Sequence, residues 1–424
     1  MAVAAERIAR PSAGMGAGVV TLLAVAIFIN YVDRGNLATA APLMKDELHL
    51  SASQVGLLLS AFFWTYIPCQ ILAGWLAERI NAYRTLALGV AIWSLATAAS
   101  GLATSFALLI ALRLVLGIGE CAAFPCSSKL LARHLPVERL GLANGAIATG
   151  LALGPAFGTF GGGLLMAQFG WRPVFLLFGL VSLLWLVPWL AVTREARAGG
   201  AAAPGHEPPF LQLLRRRELW GACIGHFSSN YAFYFVISWL PLYLVKWRGF
   251  TLAEMATLAG AIYLVYAASS QITGWAADRW IASGASANRV RKTFIIASHA
   301  GLALAMLGCA MGNTSVCMAS LFLAGISFGP GSENVFAIAQ TLAGPRAAGK
   351  WVGVQNCLGN ISGIVGPLVT GFVIDRTGDF FWAFAIACAI TLFGIFAWGV
   401  MIPRVAPLDW TSESLPAHPS TSSG

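Results

Sequence analysis

The sequence predicts an all-α integral membrane protein, with twelve transmembrane helices in two six-helix bundles related by pseudo-two-fold symmetry. Three observations carry that prediction. The 424 residues are 58% hydrophobic and only 10% charged, against roughly 25% charged in ordinary globular proteins. Apolar runs recur at lengths that cross a bilayer, about 17 to 25 residues. Finally, Gly74-Trp-Leu-Ala-Glu-Arg79 returns 200 positions later as Gly274-Trp-Ala-Ala-Asp-Arg279.

Short charged or Gly/Asn/Pro punctuation sets the spans in order at 18–40, 54–76, 85–103, 106–128, 140–164, 173–192, 219–245, 255–277, 293–311, 315–341, 351–374 and 380–402. The first, fourth and tenth contain charges. The longest internal polar segment, Thr193 to Glu218, splits the chain six and six. The expected organisation is a tail over 1–17, one bundle over 18–192, a linker over 193–218, a second bundle over 219–402, and a Pro/Ser-rich, disordered tail over 403–424. Residues 1–13 carry Glu6, Arg7 and Arg10, so no secretory signal is expected.

Charge placement gives orientation. Alternate loops and tails, counted from the N-terminal tail, carry 19 of the lysines and arginines, the others 5, and Arg34 and Arg113 lie inside spans. The positive-inside rule puts both termini in the cytoplasm. The net charge of +9 is thus a topology signal; the basic residues form no patch with interleaved aromatics, which argues against nucleic acid. The eight cysteines all fall in apolar runs without metal-type pairing and read as small core residues. No metal or cofactor is expected. No nucleophile–base constellation or phosphate-cradling loop is present, so the chain does not read as an enzyme.

The first span is organised around Ile29-Asn-Tyr-Val-Asp-Arg-Gly-Asn36. Ionisable residues at membrane depth are costly and mark function. Asp33 and Arg34 alone could neutralise one another or sit at the water interface. The fourth span, however, carries Arg113 and Glu120, seven apart and so nearly on one helical face, yet about 10 Å apart along the axis. Each needs a partner from elsewhere, or a ligand. A purely structural network of four charges would be poor value, because desolvation can cancel the Coulombic gain. A desolvated carboxylate can take up a proton near neutral pH, and an arginine offers a planar fork that matches a carboxylate. Asp33 and Glu120 are therefore candidate proton carriers, and Arg34 and Arg113 candidate anion contacts.

The repeat has a second echo: Gly154-Pro155 in the fifth span and Gly366-Pro367 in the eleventh. Repeated parallel halves suggest a transporter with its site between them. Here the chain resembles the major facilitator superfamily over residues 18 to 402. The loop holding Gly74, Glu78, Arg79, Asn81 and Arg84 is similar to that family's signature between helices two and three, with Glu78 and Asn81 where Asp and Gly are commoner. Gly150, Gly154, Pro155 and Gly158 resemble its glycine-rich fifth-helix motif. The resemblance implies a conformational latch at Gly74, Glu78, Arg79 and Arg84, echoed by Gly274, Asp278 and Arg279. It also implies helix packing at Gly150, Gly154, Pro155, Gly158, Gly366 and Pro367.

Asn30-Tyr31-Val32-Asp33-Arg34, with Arg113, Glu120, Pro125, Gly141 and Asn144, resembles the anion:cation symporter branch, which includes sugar-acid (galactonate, glucarate, hexuronate) and phthalate-type permeases. That implies proton symport of an organic carboxylate, with Asp33 and Glu120 as the protonatable pair. It places Tyr31, Arg34 and Arg113 near the substrate carboxylate and Asn356 on a substrate hydroxyl. Two departures from that pattern bear on the substrate. His226 stands where galactonate-type members have glutamine, and Phe336-Ala337 replaces a tenth-span tryptophan.

The seventh span adds His226, Asn230 and Tyr234 at spacings of four, along one stripe, as substrate candidates; the competing reading of such a stripe is packing. Glu333 follows Gly329-Pro-Gly-Ser332, where a broken helix would place it in the cavity. His299 reads as a hydrogen-bonded structural residue. The expectation is a monomeric, multi-pass importer in the cell membrane (the inner membrane if bacterial). It would take up an aldonate, aldarate or hexuronate with protons by alternating access. Transport of aromatic or other carboxylates is the alternative, and a drug or cation exporter fits Arg34 and Arg113 less well.

Overall fold

A computed structural model describes residues 13–50, 52–194 and 208–410. The remainder of both tails and of the linker, over 1–12, 195–207 and 411–424, lies outside the described residues, as does Ser51. The described chain is helical throughout. The first three spans lie on Ala13–Glu47, Ala52–Leu76 and Ala82–Ser100, and the fourth on Phe106–Glu120 continued by Ala123–His134. The fifth lies on Leu140–Phe169, and the sixth on Trp171–Leu184 with Leu186–Val192. The seventh to ninth lie on Arg217–Lys246, Leu252–Ala282 and Ala287–Met311. The tenth and eleventh share Thr314–Asn360 and Ser362–Thr377, and the twelfth is Phe381–Phe396.

Among the described residues, eight stretches are long and apolar enough to cross a membrane. Two of them, Leu57–Ser100 of 44 residues and Thr314–Ile374 of 61 residues, are about two and three times a bilayer's hydrocarbon depth at 1.5 Å per residue, and each holds two of the expected spans. Helices Arg217–Lys246 and Leu252–Ala282 fall outside the eight, and both carry rows of polar and aromatic side chains.

The expected break before Glu333 is not there. Pro330 sits inside continuous helix, and the interruption comes at Gly344, with φ of 63°. The reason lies in the next residue. A residue preceding a proline is disfavoured in the α region, so Gly344 before Pro345 leaves the helix, and glycine alone tolerates the positive φ cheaply. Pro330 follows a glycine too, but membrane helices absorb an internal proline when neighbours re-satisfy the freed carbonyl.

Close backbone approach fixes the first span. A Cβ on Gly154 would stand 2.6 Å from Tyr31 Cβ, and one on Gly158 would strike the Val32 carbonyl. Small residues therefore press the fifth helix onto the first beside Asp33 and Arg34. Gly366 faces the Tyr231 ring, and Pro155 and Pro367 both lie inside helices.

The apolar cores reveal the arrangement of the halves. At the end where the described chain begins and finishes, here the tail side, one core joins both halves through Leu23, Leu130, Trp189, Ala343, Trp351 and Ile402. At the opposite end, the far side, each half packs on itself. Leu37, Met44, Leu58 and Trp171 form one cluster, and Leu240, Tyr243, Leu258 and Phe380 another. The halves meet at the tail side and part at the far side. Of the eight cysteines, all are unpaired thiols, and only Cys69 is not fully buried.

Candidate functional site: a caged arginine beneath a polar cavity

Asp33 and Arg34 do not pair with each other. Consecutive residues on a helix point about 100° apart, and the two side chains go separate ways. Arg34 donates from Nε and Nη2 to one oxygen of Glu120, at 3.4 and 3.3 Å. Its guanidinium is wrapped by the rings of Tyr31, Phe62 and Tyr66, 4.4 to 4.8 Å from its carbon. Aromatic faces attract a cation most when it is partly desolvated; the Arg34 side chain keeps 15% exposure and Glu120 none.

Asp33 turns to the third helix, where Thr97 donates to its Oδ2 at 3.0 Å. It shares a small second cavity with Arg113, Thr97 and Ser100, closed toward the far side by Met44, Leu58 and Phe175. Phe62 divides the two arginines, its ring 4.8 Å from Arg34 and 5.1 Å from Arg113. The four charges expected in one site thus form two linked compartments: Arg34 with Glu120, and Asp33 near Arg113.

The larger cavity lies between the halves. Its empty space, counted out to the open solvent, is about 610 Å³. Tyr31 and Phe124 line it from the first half; His226, Asn230, Tyr234, Asn356 and Asn360 line it from the second. The seventh-span stripe therefore faces a cavity as well as packing. Tyr31 and Tyr234 both face Arg34, which sits one side chain behind the wall. Phe124 stacks on Phe336 at 5.0 Å across the halves, and His226 meets Phe336 edge-on. His299 Nδ1 donates to the Ile295 carbonyl at 2.8 Å, and its Nε2 lies 3.1 Å from the Ser229 hydroxyl, in a structural position.

Asn356 is already engaged. Its amide donates to Gln70 Oε1 at 2.5 Å, across the halves. Its own oxygen accepts from Asn360, which in turn accepts from the Tyr234 hydroxyl at 2.7 Å. A hydrogen-bonded line therefore runs from the cavity wall to the tail-side contact between the second and eleventh helices.

Below that line the two repeated loops grip opposite halves. Glu78 accepts from the Gly349 N–H at 2.8 Å and pairs with Lys129. Asp278 accepts from the Gly141 and Leu142 N–H groups at 2.9 and 2.7 Å and from Arg291. Arg79 and Arg279 instead lie over Trp75 and Trp275, and Arg84 is exposed at the same end. Gly74 and Gly274 allow the approach: a Cβ on either would run into the carbonyl of Gly349 or Gly141.

Gln70, Thr97, Phe62 and Tyr66 escaped the sequence reading. Phe62, Tyr66, Gln70, Gly74 and Glu78 recur every fourth residue, which is one face of a helix. That periodicity joins the arginine cage, the cross-half amide bond and the latch, and was legible. Thr97 carried no signal beyond being polar in an apolar span.

The profile of the Major Facilitator Superfamily matches residues 23–283 and 281–423. This chain belongs to that superfamily. Membership places it among transporters rather than enzymes, as a multi-pass membrane protein. Among similar superfamily proteins, the hexuronate transporter of Bacillus subtilis is 27% identical over 399 residues, covering 89% of this chain and 93% of that one. The D-galactonate transporter of Escherichia coli is 28% identical over 413 residues, covering 91% and 95%. The chloroplastic ascorbate transporter of Arabidopsis thaliana is 28% identical over 411 residues, covering 89% and 73%. The fold is shared with the fucose:proton symporter of E. coli, at a TM-score of 0.68 and 16% identity, over 90% of this facilitator and 98% of that structure.

Proposed function

We propose that this facilitator imports an organic anion, a sugar acid such as an aldonate, aldarate or hexuronate, together with protons by alternating access. The observation that carries the reading is the Arg34–Glu120 pair beneath a cavity walled by amide and hydroxyl groups. With Asp33, Glu120, Arg34 and Arg113 all ionised, the four charges cancel. An arriving carboxylate would leave one uncompensated negative charge in a poorly solvated site, which is costly. A proton on Glu120 removes that charge and frees Arg34 to take the substrate carboxylate in its fork. Asp33, beside Thr97 and close to Arg113, serves as the second proton carrier. His226, Asn230, Tyr234 and Asn356 then meet the hydroxyl-bearing carbons. The hexuronate and galactonate relatives support this substrate class.

The boundaries proposed for the halves are 18–192 and 219–402, joined by a 193–218 linker, with tails over 1–17 and 403–424. The basic loops make the tail side cytoplasmic, which makes the described conformation outward-facing. The protein would work as a monomer in the cell membrane, the inner membrane if bacterial, with no cofactor beyond the proton. A second reading, transport of an aromatic carboxylate, draws on the Phe124–Phe336 stack in the cavity wall.

Proteoliposomes with an alkaline lumen, placed in acidic buffer, are the test. Labelled aldonate or uronate should accumulate above equilibrium, while uptake that ignores the pH gradient ends the symport reading. Glu120→Gln should abolish accumulation but keep counterflow. If benzoate-type acids compete and sugar acids do not, the aromatic reading takes over.

A further inference from the structure

Glu333 has no place in that mechanism. It is fully buried, it does not line the central cavity, and it stands at the tail-side contact between the halves. Its Oε2 fills the space left by Gly274, where a Cβ would be 2.5 Å from that oxygen and 2.6 Å from the Gly141 carbonyl of the other half. We propose that Glu333 is a proton-binding site, separate from the transport pair, that holds the tail-side gate shut while it is protonated.

The polar groups around it imply the proton. Oε1 accepts from Asn334 Nδ2 at 2.9 Å, whereas Oε2 receives no hydrogen bond. The Thr273 hydroxyl faces Glu333, but it donates to the Ser269 carbonyl at 2.6 Å. A hydroxyl has one proton to give, so toward Glu333 it can only accept. The charged groups facing Glu333 are Asp278 of the eighth helix and Arg291 of the ninth. The fifth helix contributes the Gly141 carbonyl.

Asp278 is furnished as an anion, with two backbone N–H groups and Arg291 donating to it. Arg291 is fully buried, and its one positive charge is matched by Asp278. A second carboxylate there would be buried without a counter-ion, which a folded protein avoids by keeping the group neutral. When the gate opens, Gly141 and Leu142 leave, water enters beside Gly274, and Glu333 can ionise. A rise in pH on the tail side therefore favours opening, and acidification keeps the gate closed.

This inference rests on the alternating-access reading but not on the substrate. The test is electron–electron distance measurement between spin labels at Glu138→Cys and Ser283→Cys, both exposed positions flanking the gate. The purified full chain is titrated with pH in an Asp33→Asn, Glu120→Gln background, which silences the transport pair. The expected result is a short-distance population at low pH that gives way to a longer one as pH rises. Glu333→Gln should keep the short distance at every pH, and Glu333→Asp should retain the transition with a moved midpoint. An unchanged transition in Glu333→Gln, an unmoved midpoint in Glu333→Asp, or no pH dependence in this background overturns the proposal. Labels that never move, even in the unmodified pair with substrate, would sink alternating access as well, so the two failures are distinguishable.

Discussion

Glu78 and Asp278, 200 residues apart in the chain, perform the same act on opposite halves. Glu78 caps the backbone N–H of Gly349 at 2.8 Å, and Asp278 that of Gly141 at 2.9 Å. Each carboxylate sits against the beginning of a helix that belongs to the other bundle, Gly349 just past the Gly344 break and Gly141 at the start of Leu140–Phe169. Unsatisfied N–H groups and the helix dipole favour an anion there. The two contacts differ in their cation: Lys129 beside Glu78, Arg291 beside Asp278.

Removing one of these charges should loosen the closed state. Charge-assisted hydrogen bonds contribute about 1.5–3 kcal/mol each, so Asp278→Asn should raise the tail-side-open population at least about tenfold. Reactivity of a cysteine introduced at Leu142 toward a membrane-impermeant reagent applied from the tail side measures this. Equal labelling in the presence and absence of the substitution would remove Asp278 from the latch.

Bulk at the repeated glycines should act in the same direction. Gly74 meets the Gly349 carbonyl with no room for a Cβ. Gly74→Val should prevent tail-side closure, giving at least a hundredfold loss of uptake while the protein still folds and inserts. Uptake assays matched for protein content, with thermal stability as the folding control, decide it.

The Asn356–Gln70 bond sets substrate binding against closure. If Asn356 turns to the substrate, it must release Gln70. Gln70→Leu should therefore free Asn356 and tighten ligand binding in the tail-side-closed state, while costing about 1–3 kcal/mol from the unpaired buried amide. Isothermal titration with a bound aldonate checks the direction; weaker binding would mean Gln70 itself contacts the ligand.

At the far side, Glu47 ties the first helix to the sixth. It accepts from Arg172 Nε at 2.7 Å and Trp171 Nε1 at 2.6 Å, and the Arg172 bond first of all holds its carboxyl below the usual carboxylate range. A depressed folded-state value contributes stability above the unfolded value of about 4.3, and that contribution disappears as pH falls through the lower, folded value. The group is half exposed, so the effect is small, under about 1 kcal/mol. Thermal melts of Glu47→Gln should show a slightly lower Tm at pH 7 that converges with the unmodified protein in acid.

Much of the site could be read from spacing. Asp33, Arg34, Arg113 and Glu120 announce themselves because charge in an apolar run is expensive wherever the chain goes. The seventh-span stripe of His226, Asn230 and Tyr234 follows from helical period alone. Spacing could not say which acid meets which arginine. Asp33 and Arg34 are adjacent in sequence yet belong to different compartments, because Phe62 of another helix stands between the guanidiniums. Nor could it place Glu333, whose surroundings come from helices about 60, 40 and 190 residues away and whose own helix continues past Pro330 to the Gly344–Pro345 break.

The sequence by itself determined what the bilayer enforces: apolar helices long enough to satisfy every backbone group, and the rare charges kept at depth. Tertiary structure alone decided the pairings and which end of the molecule is closed. Those depend on contacts between halves far apart in the chain, through carbonyls, helix ends and ring faces that carry no residue-type signature.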